Sequence, residues 1–271
     1  MCSPEVMGEV KEKVSRKTFL GALGAAAVVS AAAPVSWAEA ASVRRFRTVV
    51  DLTHQIFPGF PNYFEEDMEI TPIFTVPETG FGVNRLSIPE HFGTHLDAQA
   101  HIVAGGATAE NIPVEDLVVP LKVIDISKQA ARNDDAEVTV GDVRAFERHH
   151  DRIEPGSFVA MYSGWESRLP GPGYLNADPY GTYHFPGFGG EAAEFLVAER
   201  GIVGIGSDTH SLDIGASTTF GAHVAVLGAG LYGIECMANL GRVRPSGATI
   251  VVGGPAHRGA TGGQARLFAL A

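Results

Sequence analysis

Between residues 91 and 101 the sequence reads His-Phe-Gly-Thr-His-Leu-Asp-Ala-Gln-Ala-His, placing His91, His95, Asp97 and His101 in one short run. The intervals between them are four, two and four residues. On an extended chain, even intervals put side chains on one face. On a helix His91 and His95 would align, while Asp97 and His101 would turn away. Gly93, the β-branched Thr94 and the nearby Pro89 also argue against a helix. A straight strand over this run would be ~33 Å long. Its two ends could not reach one ion, so the chain must bend, and Gly93 is the residue suited to bend it. Imidazole and carboxylate donors together suit zinc, manganese, iron or nickel. The pattern predicts that His91, His95 and Asp97 ligate a metal ion and that His101 reacts beside it.

The rest of the chain must hold that run in place. Its 271 residues are 45% hydrophobic and 19% charged, enough for one sizeable core without covalent staples. A net charge of -11 and the lack of basic stripes exclude nucleic acid as a partner. Two cysteines, Cys2 and Cys236, make no disulfide framework. Residues 1–40 read as an export signal. Lys11, Lys13, Arg16 and Lys17 precede an alanine-rich apolar run, and Ala38-Glu39-Ala40 offers a cleavage site. Ser15-Arg16-Lys17-Thr18-Phe19-Leu20 resembles a twin-arginine motif with lysine in the second basic position. The run is too short and too weakly apolar for a stable membrane anchor. A mature domain over 41–271 in the bacterial periplasm is the expectation.

Strands are expected over Phe46–Leu52, Glu69–Val76, Val83–Ile88, Leu121–Ile126, Phe158–Tyr162, Ile202–Ile205, Ala248–Val252 and Ala265–Leu270. A short helix is expected over Asn111–Leu117, stopped before Pro120. Another should span Val140–His150, capped by Thr139 with Asp142 in its first turn, and a third Glu191–Arg200, ended by Gly201. The proline-broken loop carrying Phe57 and Phe60 could wall an apolar ligand or cap the core. The long Gly-, Pro- and aromatic-rich run 163–190, with Trp165, could line a substrate pocket or act as a lid. Asp208, His210, Ser211 and Asp213 follow a strand and could orient ligands or form turns. Arg258 could meet an anionic group of a substrate.

His223-Val224-Ala225-Val226-Leu227 reads as a strand, followed by Gly228, Gly230 and Gly233 in a literal G-x-G-x-x-G and then a helix. That order suggests a dinucleotide-dependent oxidoreductase. Against it, the chain ends too soon after Gly233 for the rest of such a fold, and no acidic residue follows Glu235 to hold a ribose. His223 and Glu235, twelve residues apart around the glycine run, could instead belong to the metal site or flank a surface turn. No G-x-S-x-G elbow is present, which disfavours a serine hydrolase.

The run His91-x-Gly93-Thr94-His95-x-Asp97-Ala98-x-x-His101 resembles the signature of the cyclase-type metal-dependent hydrolases, which include bacterial kynurenine formamidases and isatin hydrolases. Gly233-Ile234-Glu235-Cys236, with His223, is similar to the family's second motif. The segments 111–117 and 257–259 lean toward the isatin hydrolase branch. Gln99 stands where the family has proline, which alters the turn after Asp97 or adds a polar group to the pocket. The resemblance implies a swivelling β/β/α-type α/β domain, homodimeric or larger, and one or two zinc or manganese ions. It implies that Asp97 bridges, with His91 and His95 on one ion and His223 and Glu235 on the other, and that His101 is the general acid/base. A divalent ion lowers the pKa of bound water to about 7. The expected reaction is therefore opening of a cyclic amide or imide of the isatin type, or alternatively hydrolysis of an aryl formamide such as N-formylkynurenine.

Overall fold

A computed structural model describes residues 46–64 and 66–271. The expected leader, with Cys2, Arg16 and Lys17, lies outside the described residues. The described residues form thirteen strands and five α-helices. The strands are β1 (Val49–Asp51), β2 (Glu69–Phe74), β3 (Val83–Ser87), β4 (His95–Asp97), β5 (Val118–Asp125), β6 (Glu137–Val138), β7 (Phe158–Tyr162), β8 (Gly187–Phe188), β9 (Gly204–Ser207), β10 (Tyr232–Glu235), β11 (Ala248–Gly253), β12 (Gly262–Gln264) and β13 (Arg266–Leu270). The helices are α1 (Val76–Thr79), α2 (Ser127–Ala130), α3 (Val140–His150), α4 (Gly190–Arg200) and α5 (Gly221–Gly228).

Nine strands form one mixed sheet in the order β1-β13-β11-β5-β7-β9-β10-β4-β12. Its centre, β5-β7-β9-β10, is parallel, and the pairs on either side are antiparallel. Parallel strands need cover on both faces, and β7 shows how the sequence provides it. Val159 and Met161 join a core with Val143 and Phe146 of α3, Leu196 of α4 and Val226 of α5. The alternate residues Phe158 and Ala160 join a second core with Leu96, Leu121, Ile234, Ile250 and Leu267. Strands from both ends of the order meet in that second core, so the sheet is curled and the chain forms a single α/β domain. A third, aromatic cluster holds Phe60, Phe92, Trp165, Tyr174, Phe185 and Cys236.

Helix α3 begins where Thr139 and Asp142 predict, with a reciprocal capping box, and α4 ends at Gly201 in a left-handed conformation. Asn111–Leu117 makes no α-helix. Two 3-10 turns, Ala109–Asn111 and Val114–Leu117, replace it, because Pro113 separates them and supplies no N–H to a continuous ladder. The largest correction falls at 221–235. His223-Val224-Ala225-Val226-Leu227 is helical, in α5, and the residues after the glycines are strand β10. The dinucleotide order of strand, glycines and helix is thus reversed.

Candidate metal centre

Strand β4 is the axis of the site. It lies between β10 and β12, with His95 paired to Glu235 and Gln264, and Asp97 paired to Gly233 and Gly262. His95, Asp97 and Glu235 therefore share one face of the sheet, at 1%, 1% and 6% exposure. The glycines opposite Asp97 leave the space that neighbouring side chains need. A Cβ on Gly262 would stand 2.7 Å from Cε1 of His91, and one on Gly233 would press on Leu212 at 2.6 Å. The extended stretch is shorter than the even spacing suggests, only 95–97. Gly93 bends the chain before it at φ 64, and a Cβ there would collide with the Ile56 side chain. Behind it, a 3-10 turn over Gln99–His101 folds His101 back, so its ring centroid lies 3.9 Å from that of His91 and 6.0 Å from that of His223.

Helix α5 delivers His223 from the other side. Asp213 holds it: the Oδ2 carboxylate oxygen accepts Nδ1–H of His223 at 2.6 Å and its backbone N–H at 3.2 Å, while Oδ1 accepts the Ala222 N–H at 2.8 Å. One carboxylate thus anchors the first turn of α5 and orients the ring, leaving Nε2 to face Glu235 Oε1 at 3.2 Å and Asp97 Oδ2 at 3.9 Å. His95 is arranged in the same way. Its Nδ1–H donates to the Gly93 carbonyl at 2.8 Å, so the Nε2 lone pair points at Asp97 Oδ1, 3.3 Å away, and Glu235 Oε2, 3.4 Å away. His91 contacts Asp97 through Nδ1 at 2.6 Å and Thr261 Oγ1 through Nε2 at 2.9 Å.

Within the cluster Asp97 Oδ1 is bonded to His91 Nδ1 and Glu235 Oε1 accepts the Leu212 N–H at 3.0 Å, but the remaining inward atoms meet no donor. His95 Nε2 and Asp97 Oδ2 are buried and have no hydrogen-bond partner. Only a proton or a cation relieves such a convergence. The charge balance shows the same demand. Burial disfavours a proton on His95, but Asp97 and Glu235 overcome it and push the ring up to about 10. Burial and the Asp97 charge would raise Glu235, yet His223 and His95 hold it at about 2. Burial likewise opposes ionisation of Asp97, and His95 and His91 hold it well below the usual carboxylate range. His101 goes the other way, lowered to about 4, mainly by burial. Two sets have ligand atoms within 4.8 Å of one another, His91/Asp97/His101 and His95/Asp97/Glu235, with Asp97 in both. Imidazole nitrogens and carboxylate oxygens in this number fit a divalent transition metal.

The structure gathers His91, His95, Asp97 and His101 from one short run with His223 and Glu235 from far along the sequence. Phe57, Phe60, Trp165, Asp208 and Arg258 lie outside this cluster. Phe60 and Trp165 are buried in the aromatic cluster, Trp165 beneath the Arg168 guanidinium at 3.4 Å, while Phe57 is 38% exposed and packs edge-on against Phe60. Arg258 is exposed on the 257–259 loop. Gln99 braces the His101 turn by accepting the Ala107 N–H at 2.9 Å. Asp208 accepts the N–H groups of Ser163, Gly164 and Trp165 and the Ser163 hydroxyl, organising that loop with no bond to a site histidine. Ser211 accepts the Asp213 N–H at 3.3 Å. Asp213 is the residue whose part the sequence understated. Its position ten residues before His223 signals nothing until α5 is known to be a helix.

Residues 50–214 match the model of the Cyclase family. Among curated proteins, the isatin hydrolase of Roseibium aggregatum is 32% identical over 199 residues, covering 70% of this chain and 75% of that protein. The kynurenine formamidase of Salinibacter ruber is 24% identical, covering 69% of this chain and 81% of its own. Among solved structures, isatin hydrolase A from Labrenzia aggregata bound to benzyl benzoate aligns with TM-score 0.77 and 33% identity, over 82% of this chain and 93% of that one. A structure described as a potential metal-dependent hydrolase with cyclase activity aligns with TM-score 0.63 and 27% identity, over 82% and 96%.

Proposed function

Because this chain belongs to the Cyclase family, whose members similar to it are hydrolases, we propose that it is a metal-dependent amidohydrolase that opens a cyclic amide of the isatin type to a carboxylate. The observation that carries this reading is the convergence of His95 Nε2, Asp97 and Glu235 with no donor among them. His91, His95, Asp97, His223 and Glu235 would hold one or two zinc or manganese ions. When bound, such an ion supplies Lewis acidity toward the amide carbonyl and lowers the pKa of water.

The chain's own residues do the remaining work. Asp97 faces His91 and His95 through Oδ1 and His223 through Oδ2. Asp213 and the Gly93 carbonyl set the tautomers of His223 and His95, so each turns a lone pair inward. His101 is neutral at pH 7. It can therefore take a proton from water at the carbonyl and return it to the leaving nitrogen, which must be protonated for the carbon–nitrogen bond to break. Cys236 is no nucleophile here, because complete burial pushes its thiol far up.

The reading extends to an exported, homo-oligomeric protein. Supporting the oligomer, every residue of β2 and β3 is exposed, Ile70, Phe74, Val83 and Leu86 among them. A lone two-stranded hairpin with such side chains is marginal in water, and a second copy of this chain would cover it. The test is elemental analysis of protein made without residues 1–40 and without a histidine tag, followed by assays on isatin and an aryl formamide. About one or two zinc or manganese ions per chain with isatin opening is the expected result. Faster turnover of the aryl formamide would move the assignment to the formamidase reading. No retained metal and no hydrolysis of either would refute the proposal.

A further inference from the structure

Among the described residues, His210 is the buried side chain whose two ring nitrogens both lack a hydrogen-bond partner. It is 1% exposed, and only the backbone of Pro61 and of His210 itself comes close enough to the ring to favour its protonated form. Folded proteins partner nearly all buried polar atoms, so a doubly unpartnered imidazole calls for a physical reason.

Its surroundings supply one. His210 follows β9, and the loop is tied to the end of β10. The Cys236 N–H donates to the Thr209 carbonyl at 2.8 Å, and the Met237 N–H to the Ser207 carbonyl at 2.8 Å. That sets His210 beside the residue after Glu235, and Glu235 and His95 are the charged groups that act on it. The ring stacks on Tyr63 at 4.2 Å and 28°, and Tyr63 packs on Tyr183 at 4.9 Å. Tyr63 belongs to the proline-broken loop and is only half-buried. A flat aromatic wall with a polar edge therefore abuts the ligand cluster. A neutral imidazole offers one N–H donor and one acceptor.

We infer that His210 determines specificity by donating a hydrogen bond to a second oxygen of the substrate, the keto oxygen next to the scissile amide carbonyl. This rests on the amide-opening reading above. It makes the preferred substrates planar vicinal dicarbonyl amides over simple lactams of the same shape, because a simple lactam has no second oxygen to accept the buried N–H and gains nothing from it.

The experiment compares the protein with its native His210 against His210→Leu and His210→Gln, all in a His101→Ala background that does not turn isatin over, each loaded with metal and checked for metal per chain. Calorimetry measures binding of isatin and of 2-oxindole, the same bicycle without the keto oxygen, and melting is followed without ligand. With His210 in place isatin binds more tightly than 2-oxindole. His210→Leu should weaken isatin by about tenfold and leave 2-oxindole unchanged, the scale of one neutral hydrogen bond. Its melting temperature should equal or exceed that of the protein with His210, since an unpaired polar group has been removed. His210→Gln should restore part of the preference and decides the matter if the leucine protein does not fold. An unchanged isatin to 2-oxindole ratio in folded, metal-bearing variants overturns the inference, and a lowered melting temperature alongside it marks a purely structural role. If the metal-loaded protein with His210 binds neither compound, the amide-opening reading fails and the inference with it.

Discussion

Replacing Asp213 with Asn tests whether the ligand cluster depends on a carboxylate that never faces the ion. Asp213 accepts three N–H groups, two at Oδ2 and one at Oδ1. The amide oxygen of Asn can serve the two donors from His223. Its NH2 then faces the Ala222 N–H across the 2.8 Å that Oδ1 now spans, donor against donor. Losing a charge-assisted bond of this kind costs about 1.5–3 kcal/mol. Loosening a partner that orients a metal-binding histidine lowers affinity about 10–100-fold, or about 1.4–2.8 kcal/mol. The two estimates agree on about 2 kcal/mol, so the Asp213→Asn protein should bind zinc or manganese roughly 30-fold more weakly. Competition against a chromogenic chelator measures this, and melting of the metal-free proteins separates loss of fold from loss of affinity. Affinity within twofold of wild type, with melting lowered, would refute the reasoning: Asp213 would then serve the first turn of α5 and not the orientation of His223.

Four other outcomes are expected. Asp97→Ala should lose metal and activity together, because Asp97 is the carboxylate that faces His91, His95 and His223; activity in a metal-free Asp97→Ala protein would sink the scheme. His101→Ala should keep its metal by elemental analysis and lose turnover about 100-fold or more. Gly93→Ala should destabilise the fold by at least about 2 kcal/mol in urea titration, since alanine is strained at φ 64 and would meet Ile56. Cys236 should resist iodoacetamide at pH 8 in the folded protein and react once it is unfolded, because it is fully buried and its thiol is held protonated.

The site was legible where its signal is local. His91, His95, Asp97 and His101 announce themselves by type and even spacing, and the bend at Gly93 follows from the length of an extended chain. Helix α3 is legible for the same reason, because Thr139 and Asp142 form its cap within a single turn. What the sequence conceals is pairing at long range. Nothing near Glu235 says that it stands opposite His95. The segment 223–227 shows why local preference misleads. Two valines and a leucine in a short apolar run suit a strand, but the carboxylate of Asp213 satisfies the first N–H groups of α5. The buried face of Ala222, Val226 and Leu227 then packs against β-strand residues of the core. Tertiary contacts outweigh a weak propensity there. Likewise Asp208, equally polar and equally buried, orders the loop at 163–165, and only coordinates separate its role from that of Asp213.

The placement of β4 between β10 and β12 has a consequence for how the protein is made. A ribosome releases His91 to His101 well before His223 and Glu235, and β12 after both. Until those late segments emerge, Asp97 and His95 have no strand on either side. An ion captured by the nascent chain would have only the ligands of one segment. The full donor set cannot come into being until Glu235 and β12 have both been synthesised, so the segment 91–101 alone cannot offer it. A protein lacking residues 260–271, and with them β12, should therefore retain metal less well, although none of the ligands is deleted.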